Sequence, residues 1–329
     1  MLETAFAQLR LAPSIMFGNP FSVRSLDRLV NAMIETRREF GSLGSEAGEL
    51  INGPAFDEEA RRELHLHHFC KQAVRATRET SYYQALFERL GLDPKELSYE
   101  EISQIPLTSQ TALRDNPHAF VSCKAKPYLR TMTGGTAGWP TSIYFSEYEL
   151  KVMVALGAFA LLLRGDIGPE DLVQIHYPVR ATHLNIGMGD AFARLGALVH
   201  RLDQIEPKYS LALLAEKHKL KGKKPQVSVM LTYPSYLGAV VEYGLQTAYH
   251  PSDFGLERVV LAGELVTEGL KTRVRKLFGP IEFIEHYTLT EMYPFCGVSC
   301  TQGHLHFEAS HGLPEVIDLE SGASALSIA

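Results

Sequence analysis

Hydrophobic and polar residues alternate along the first third of the chain with the spacing of amphipathic helices. The two clearest segments run from Ser25 to Arg38 and from Phe56 to Thr77, and prolines at positions 94, 106 and 117 interrupt the pattern afterwards. We therefore predict a helical region over residues 1–120, acting as a scaffold or a lid. The apolar run from Val152 to Leu163 is too short to cross a bilayer and predicts a buried helix.

From residue 150 onwards the pattern changes to short β-rich runs separated by helical segments. This alternation predicts a mainly parallel sheet covered by helices, and hence an α/β core over residues 121–329. The predicted strands are Leu172–Ile175, Ala197–Arg201, Val227–Leu231, Val259–Ala262 and Ile281–Glu285. The predicted helices are Asp190–Leu195, Leu211–His218, Tyr236–Tyr243 and Glu268–Phe278.

Polar or aromatic residues follow four of the predicted strands, at the edge where parallel sheets bind their ligands. The four clusters are His176-Tyr177-Pro178, Thr232-Tyr233-Pro234-Ser235, Gly263-Glu264 and Tyr287-Thr288-Leu289-Thr290-Glu291. These residues suit a nucleotide, because Tyr287 could stack on a purine, Thr290 could donate to phosphate and Glu291 could hold Mg²⁺. Taken singly, each also suits an ordinary structural role.

A glycine-rich stretch lies before these strands, between Arg130 and Thr141. Backbone N–H groups that are free of side-chain bulk can hold phosphate oxygens in such a stretch. It is not a Walker A loop, because Gly138 is followed by Trp139 and Pro140 rather than by Lys and Ser or Thr. The alternative is a turn between two strands.

Composition and charge narrow the function classes. The chain has 329 residues, of which 45% are hydrophobic and 21% charged, as expected for a globular protein of one large or two smaller domains. The net charge of -6 argues against nucleic acid as a partner. We expect no secretory signal, no membrane span and no disulfide framework among the four cysteines, and hence a cytoplasmic location.

Four residues with zinc-binding side chains follow the last cluster: Cys296, Cys300, His304 and His306. Their spacing permits a zinc site. Free buried cysteine and strand-end histidine are the more common outcome, so zinc is not the expected cofactor.

Two of these stretches carry a resemblance to a known family. Thr133-Gly134-Gly135-Thr136-Ala137-Gly138-Trp139-Pro140-Thr141 resembles the phosphate loop of acyl-adenylate-forming enzymes, and the stretch from Tyr287 to Glu291 resembles their Tyr-Gly-x-Thr/Ser-Glu motif. The phenylacetate–CoA ligase family is the most similar subgroup. Four further stretches support it: Ser81-Tyr82-Tyr83-Gln84, Ile105-Pro106-Leu107-Thr108, the stretch from Thr232 to Tyr236, and Ala262-Gly263-Glu264.

The resemblance implies ATP-dependent activation of an aromatic carboxylic acid as acyl-AMP, followed by attack of a nucleophile such as CoA. It implies catalytic roles for Thr290 and Glu291, with Glu291 as the Mg²⁺ ligand. The implied ATP-binding residues are Thr133, Gly134, Gly135, Thr136, Gly138, Gly263, Glu264, His286 and Tyr287. The implied acid-binding residues are Tyr177, Pro178, Tyr233 and Tyr236, whose aromatic rim suits an aryl acid.

Departures from the family pattern leave alternatives open. Ala137, Trp139 and Thr288 replace its usual threonine, lysine and glycine, and no match to its ribose-binding aspartate, hinge or mobile C-terminal domain is identifiable before Ala329. We therefore expect a core without that domain, with weak adenylation on its own. Short relatives are associated with antibiotic biosynthesis, including that of phenazines. The alternatives are a degenerate binding protein for an aryl acid or nucleotide and an enzyme of acyl transfer to a protein thiol. A separate acceptor protein and a homodimer are further hypotheses.

Overall fold

The computed structural model describes residues 2–41, 58–133, 139–179, 181–293, 296–307 and Asp318. Its first part is helical: α1 (Leu2–Phe17), α2 (Val23–Phe40), α3 (Glu58–Glu79), α4 (Ser81–Leu90), α5 (Tyr99–Gln104) and α6 (Gln110–Asp115). A 3-10 turn follows at Pro117–Phe120. No strand occurs in the described part of residues 1–120. The division of the chain at residue 120 stays a prediction.

A two-stranded antiparallel hairpin connects the helical part to the main sheet. It consists of β1 (Pro127–Met132) and β2 (Ser142–Ser146). At its open end, the N–H of Thr133 donates to the carbonyl oxygen of Thr141 at 3.0 Å, and the N–H of Thr141 donates to Oγ1 of Thr133 at 3.2 Å. These two bonds close the base of the segment 134–138.

The main sheet has seven strands in the order β4-β3-β5-β6-β7-β8-β9. They are β3 (Leu172–His176), β4 (Leu198–Leu202), β5 (Val229–Thr232), β6 (Arg258–Ala262), β7 (Glu282–Thr288), β8 (Cys296–Ser299) and β9 (Leu305–Phe307). Strands β3 to β7 pair in parallel, whereas β8 and β9 pair antiparallel. The covering helices are α7 (Glu147–Gly165), α8 (Thr182–Arg194), α9 (Pro207–Ala215), α10 (Pro234–Leu245) and α11 (Glu268–Phe278). The predicted α/β fold with a mainly parallel sheet is confirmed.

Side chains of the central strands alternate between two hydrophobic layers. On β6, Val259 and Leu261 pack against α9, α10 and α11, whereas Val260 and Ala262 pack against α7 and α8. Because both faces are covered, the strand is apolar from Val259 to Ala262, as is typical of parallel sheets. Helix α2 adds Val30 to the second layer. Burying one such side chain contributes about 1.5–3 kcal/mol.

Helix α7 contains the run from Val152 to Leu163 and lies buried against α2 and α8. A glycine on α8, Gly187, allows this close approach, since a Cβ there would collide with the side chain of Met153. Among the described residues, no helix is long and apolar enough to span a bilayer.

Three elements differ from the predictions by three residues or more at one or both ends. The first is helix α9, which runs from Pro207 to Ala215 rather than from Leu211 to His218. Strand β7 continues three residues beyond the predicted end, because His286, Tyr287 and Thr288 pair with β8. These residues therefore lie on the strand rather than after it. Helix α8 begins at Thr182 rather than at Asp190, since its first half packs on α7.

A buried carboxylate connects the amino ends of the central strands. Asp171 accepts hydrogen bonds from the N–H of Gly168 at 2.9 Å, the hydroxyl of Ser228 at 2.8 Å and Nζ of Lys224 at 2.8 Å. Its side chain is fully buried. This network lies at the end of the sheet opposite to the edge where ligands of parallel sheets bind.

Candidate active site

The carboxyl ends of three central strands meet at the side chain of Tyr177. This residue directly follows β3, and its hydroxyl donates to the carbonyl oxygens of Ala262, at 2.9 Å, and Thr232, at 3.1 Å. Thr232 ends β5 and Ala262 ends β6. Three of the four predicted clusters therefore lie together at one edge of the sheet.

Two of the tyrosines proposed to bind the acid, Tyr177 and Tyr236, use their hydroxyls within the protein. The hydroxyl of Tyr236 donates to the carbonyl oxygen of Ile205 at 2.9 Å, and its ring lies 4.8 Å from that of His176. Tyr177 is 4% exposed, and its burial raises the pKa of the phenol well above the usual value. The rings of Tyr177 and Tyr233 lie 5.7 Å apart. The three tyrosines and the half-buried Pro178 would contact an acid mainly through the surfaces of their rings. Its acid-binding role stays a prediction.

Gly263 and Glu264 continue from β6 on the exposed side of the same edge. Gly263 adopts a φ of 92°, and no atom lies within 4 Å of a Cβ built on it. A side chain would be strained at this φ, so glycine keeps the backbone open to a ligand. The carboxylate of Glu264 accepts the N–H of Ser235 at 2.7 Å and its hydroxyl at 2.8 Å. Glu264 thus stabilises the start of α10 and joins the ends of β5 and β6.

The end of β7 presents an exposed aromatic ring. Tyr287 is 51% exposed, and its ring meets that of Phe307 from β9 edge-on at 5.8 Å. One face therefore remains available for stacking on a flat base. Its neighbour His286 differs, because its Nε2 atom is shielded from solvent and has no partner among the described residues. Burial lowers the pKa of His286 to about 4, so the ring is neutral at pH 7.

Thr290 and Glu291 lie on the turn after β7, with Thr290 half-buried and Glu291 exposed. Within the described ranges, the carboxylate of Glu291 makes no hydrogen bond or ion pair. An exposed, unpaired carboxylate fits a Mg²⁺ ion that is shared with phosphate oxygens.

A cleft of about 1040 Å³ lies between this turn and the helical region. The turn contributes Leu289, Glu291 and Tyr293, and the opposite wall includes Tyr83 and Thr108. The hydroxyls of Tyr83 and Thr108 lie 3.2 Å apart. Neither residue is among the predicted site residues, although both belong to stretches that carry the family resemblance. These two stretches are the part of the sequence from which the cleft could have been predicted.

Part of the predicted phosphate loop lies outside the described residues, namely Gly134, Gly135, Thr136 and Gly138. Of its flanks, Thr133 is buried at the base of the loop and Trp139 is 79% exposed. Phosphate binding by these residues stays a prediction.

The cysteine and histidine residues after the turn contribute mainly to a small β structure. Cys296 begins β8, His306 pairs with Val298 across β8 and β9, and the N–H of Cys300 donates to the carbonyl oxygen of His304 at 2.8 Å. Across the described ranges, no group of three or more His, Cys, Asp or Glu side chains is arranged to hold a metal ion. The structure therefore provides no support for zinc at these four residues.

Comparison with known proteins identifies relatives of this fold. The chain is 26% identical over 247 residues to phenylacetate–coenzyme A ligase of Thermus thermophilus, with 73% of this chain and 53% of that protein covered. The chain thus spans about half the length of this relative. No family model matches the chain.

Two solved structures of 2-hydroxyisobutyryl-CoA ligase share the fold. One is an open conformation in complex with 2-HIB-AMP and CoA, with a TM-score of 0.62, 17% identity, and 80% of this chain and 63% of that chain covered. The other is the thioesterification state with the same ligands, with a TM-score of 0.62, 18% identity, and coverage of 79% and 58%. The resemblance to acyl-adenylate-forming ligases is confirmed. The phenylacetate–CoA ligase relative adds sequence similarity to the fold shared with these ligases.

Proposed function

We propose that this chain activates an aromatic carboxylic acid with ATP, forming acyl-AMP and releasing pyrophosphate. One observation carries the proposal: three separate stretches that resemble the adenylate-forming ligases, represented by Tyr83, Thr108 and Glu291, line one cleft. The relative named phenylacetate–CoA ligase supports an aryl acid as the substrate.

In the proposed reaction, a carboxylate oxygen of the acid attacks the α-phosphorus of ATP. The bond from the α-phosphorus to the bridging oxygen breaks, and pyrophosphate leaves with that electron pair. Thr290 would donate its hydroxyl to an α-phosphate oxygen, where negative charge must be stabilised. Glu291 would hold Mg²⁺, which neutralises charge on the phosphates when it is bound. The exposed ring of Tyr287 and the open backbone at Gly263 would position adenine.

Positioning accounts for most of the expected rate enhancement. The acid would lie against the rings of Tyr177, Tyr233 and Tyr236, beside Pro178, because a flat aryl group gains stacking and apolar contact there. The backbone of residues 134–138 would hold the phosphates. The resulting acyl-AMP would pass to an acceptor, for which we propose CoA.

Carboxylate-dependent exchange of pyrophosphate into ATP tests the first step. Glu291→Gln should lower the exchange rate at least about tenfold, on the order of 1.4 kcal/mol in the barrier, with unfolding unchanged. Glu268→Gln is the matched control, since Glu268 is 81% exposed on α11 and does not line the cleft. Unchanged exchange by Glu291→Gln at saturating Mg²⁺ would exclude the proposed role.

The same assay separates the alternatives. A degenerate binding protein would bind an aryl acid in titration calorimetry and show no exchange. An acyl-transfer enzyme would show exchange but form a thioester with a protein thiol rather than with CoA, which mass spectrometry distinguishes. A panel of benzoate, phenylacetate, phenazine carboxylate and short aliphatic acids tests the aromatic substrate and the proposed link to phenazine biosynthesis.

A further inference from the structure

A buried histidine lies between the two segments proposed to bind the nucleotide. His183 is on the first turn of α8 and is 1% exposed. Its Nδ1 atom lies 3.1 Å from Oγ1 of Thr131, which is in β1 two residues before Thr133. Its ring meets that of Tyr293 at 6.0 Å, and Tyr293 follows Glu291 by two residues.

Further contacts hold these segments to the same helix. Phe145 of β2 stacks on His183, with ring centroids 5.7 Å apart and planes 25° apart. The hydroxyl of Tyr293 lies 3.7 Å from the sulfur of Met188, one and a half turns further along α8. Both strands of the hairpin and the turn after β7 therefore contact α8 around one side chain.

Packing alone does not explain why a histidine, rather than an apolar residue, is buried at position 183. Its Nε2 atom is shielded from solvent and has no hydrogen-bond partner among the residues that the structure describes. Burying such an atom costs free energy, so an apolar ring would suit simple packing better. What the imidazole adds over an apolar ring is the contact between Nδ1 and Thr131. Burial lowers the pKa of His183 to about 4, so this contact is made by the neutral ring at pH 7.

We propose that His183 is a positioning residue, which holds the chain from Thr131 to Thr133 at a set distance from the turn that carries Thr290 and Glu291. A phosphate bound by Thr133 would then lie within reach of a Mg²⁺ ion held by Glu291. The inference rests on the proposed function. In this role His183 does not contact the substrate, and its replacement affects only the binding of the nucleotide.

Three variants test this role through binding rather than turnover. His183→Phe keeps an aromatic ring and removes both nitrogens. His183→Asn keeps a polar atom near the position of Nδ1, and Thr131→Val removes the hydroxyl with little change of shape. We expect His183→Phe and Thr131→Val to weaken Mg–ATP binding at least about fivefold, because small displacements of binding groups are costly. We expect His183→Asn to stay within about twofold of the parent, and benzoate or phenylacetate binding to be unchanged in all three.

Ser228→Ala is the control. It removes a buried hydrogen bond to Asp171 at the opposite end of the sheet. It should lower the melting temperature and leave both dissociation constants unchanged. The dissociation constants are measured by titration calorimetry on the full chain, with Mg–ATP and the aryl acids as separate titrants.

The outcomes separate the two proposals. If the parent binds Mg–ATP and His183→Phe binds it equally well, the positioning role is wrong and the proposed function stands. Equal weakening of ATP and acid binding, or equal weakening by Ser228→Ala, would show a general packing effect and also overturn the role. If the parent binds no Mg–ATP, the proposed function fails and the role fails with it. Should His183→Phe not fold, Thr131→Val decides, because unchanged Mg–ATP binding in that variant overturns the inference.

Discussion

Replacing Tyr177 with phenylalanine distinguishes a structural hydroxyl from a substrate contact. In the structure this hydroxyl donates to the carbonyl oxygens of Ala262 and Thr232, which end neighbouring strands. Tyr177→Phe removes this shared hydrogen bond and leaves two carbonyl oxygens less well satisfied. A buried hydrogen bond contributes about 0.5–1.5 kcal/mol, and an unsatisfied partner adds to the loss, so we expect about 1–2 kcal/mol less stability.

Urea unfolding measures this loss, and titration calorimetry with phenylacetate measures acid binding in the same variant. Because the hydroxyl is engaged with the backbone and the ring is kept, acid affinity should stay within about twofold of the parent. Tyr243→Phe is the matched control, since Tyr243 is on α10 and 39% exposed, and it should change stability by less than about 0.5 kcal/mol.

The opposite pattern would refute the reasoning. If Tyr177→Phe unfolds like the parent but binds phenylacetate about tenfold more weakly, a loss of about 1.4 kcal/mol, then its hydroxyl contacts the acid. The strand ends would then be held together without it.

Two further predictions concern stability. Burial lowers the pKa of His176, His183 and His286 to about 4, below the value of about 6.5 in an unfolded chain, so the unfolded chain binds more protons between these values. The free energy of unfolding should therefore fall as the pH drops from about 6.5 towards 4. Each of the three histidines would contribute a decrease of up to about 1.4 kcal/mol for each pH unit. Equal urea midpoints at pH 7.5 and pH 5 would contradict this expectation. Asp171→Asn should cost about 3 kcal/mol, because it removes the buried carboxylate that pairs with Lys224 and leaves this lysine without that partner. Glu268→Gln, at an exposed residue, is the control and should cost less than about 0.5 kcal/mol in the same urea assay. If Asp171→Asn loses no more stability than this control, the buried ion pair contributes little.

The α/β core could be predicted from sequence because its strands are buried on both faces. Continuous apolar runs such as the one around Val259 occur where helices cover both sides of a parallel strand. The end of β7 could not be predicted in the same way. His286, Tyr287 and Thr288 become strand because β8 supplies backbone partners, and that pairing depends on residues about ten positions later.

The sequence by itself determined which residue types stand at the strand ends, namely a glycine after β6 and a Thr-Glu pair after β7. A local pattern reports whether a residue is suited to turn, strand or phosphate contact, and those preferences act over a few positions.

Only the tertiary structure decided which of these groups meet and what each side chain does. Tyr83 meets Thr108 across 25 positions, and His183 meets Thr131 across 52. The hydroxyl of Tyr177 reaches Ala262 across 85 positions and is occupied there. Pairing over such distances is set by how helices and strands pack, which no local period in the sequence encodes.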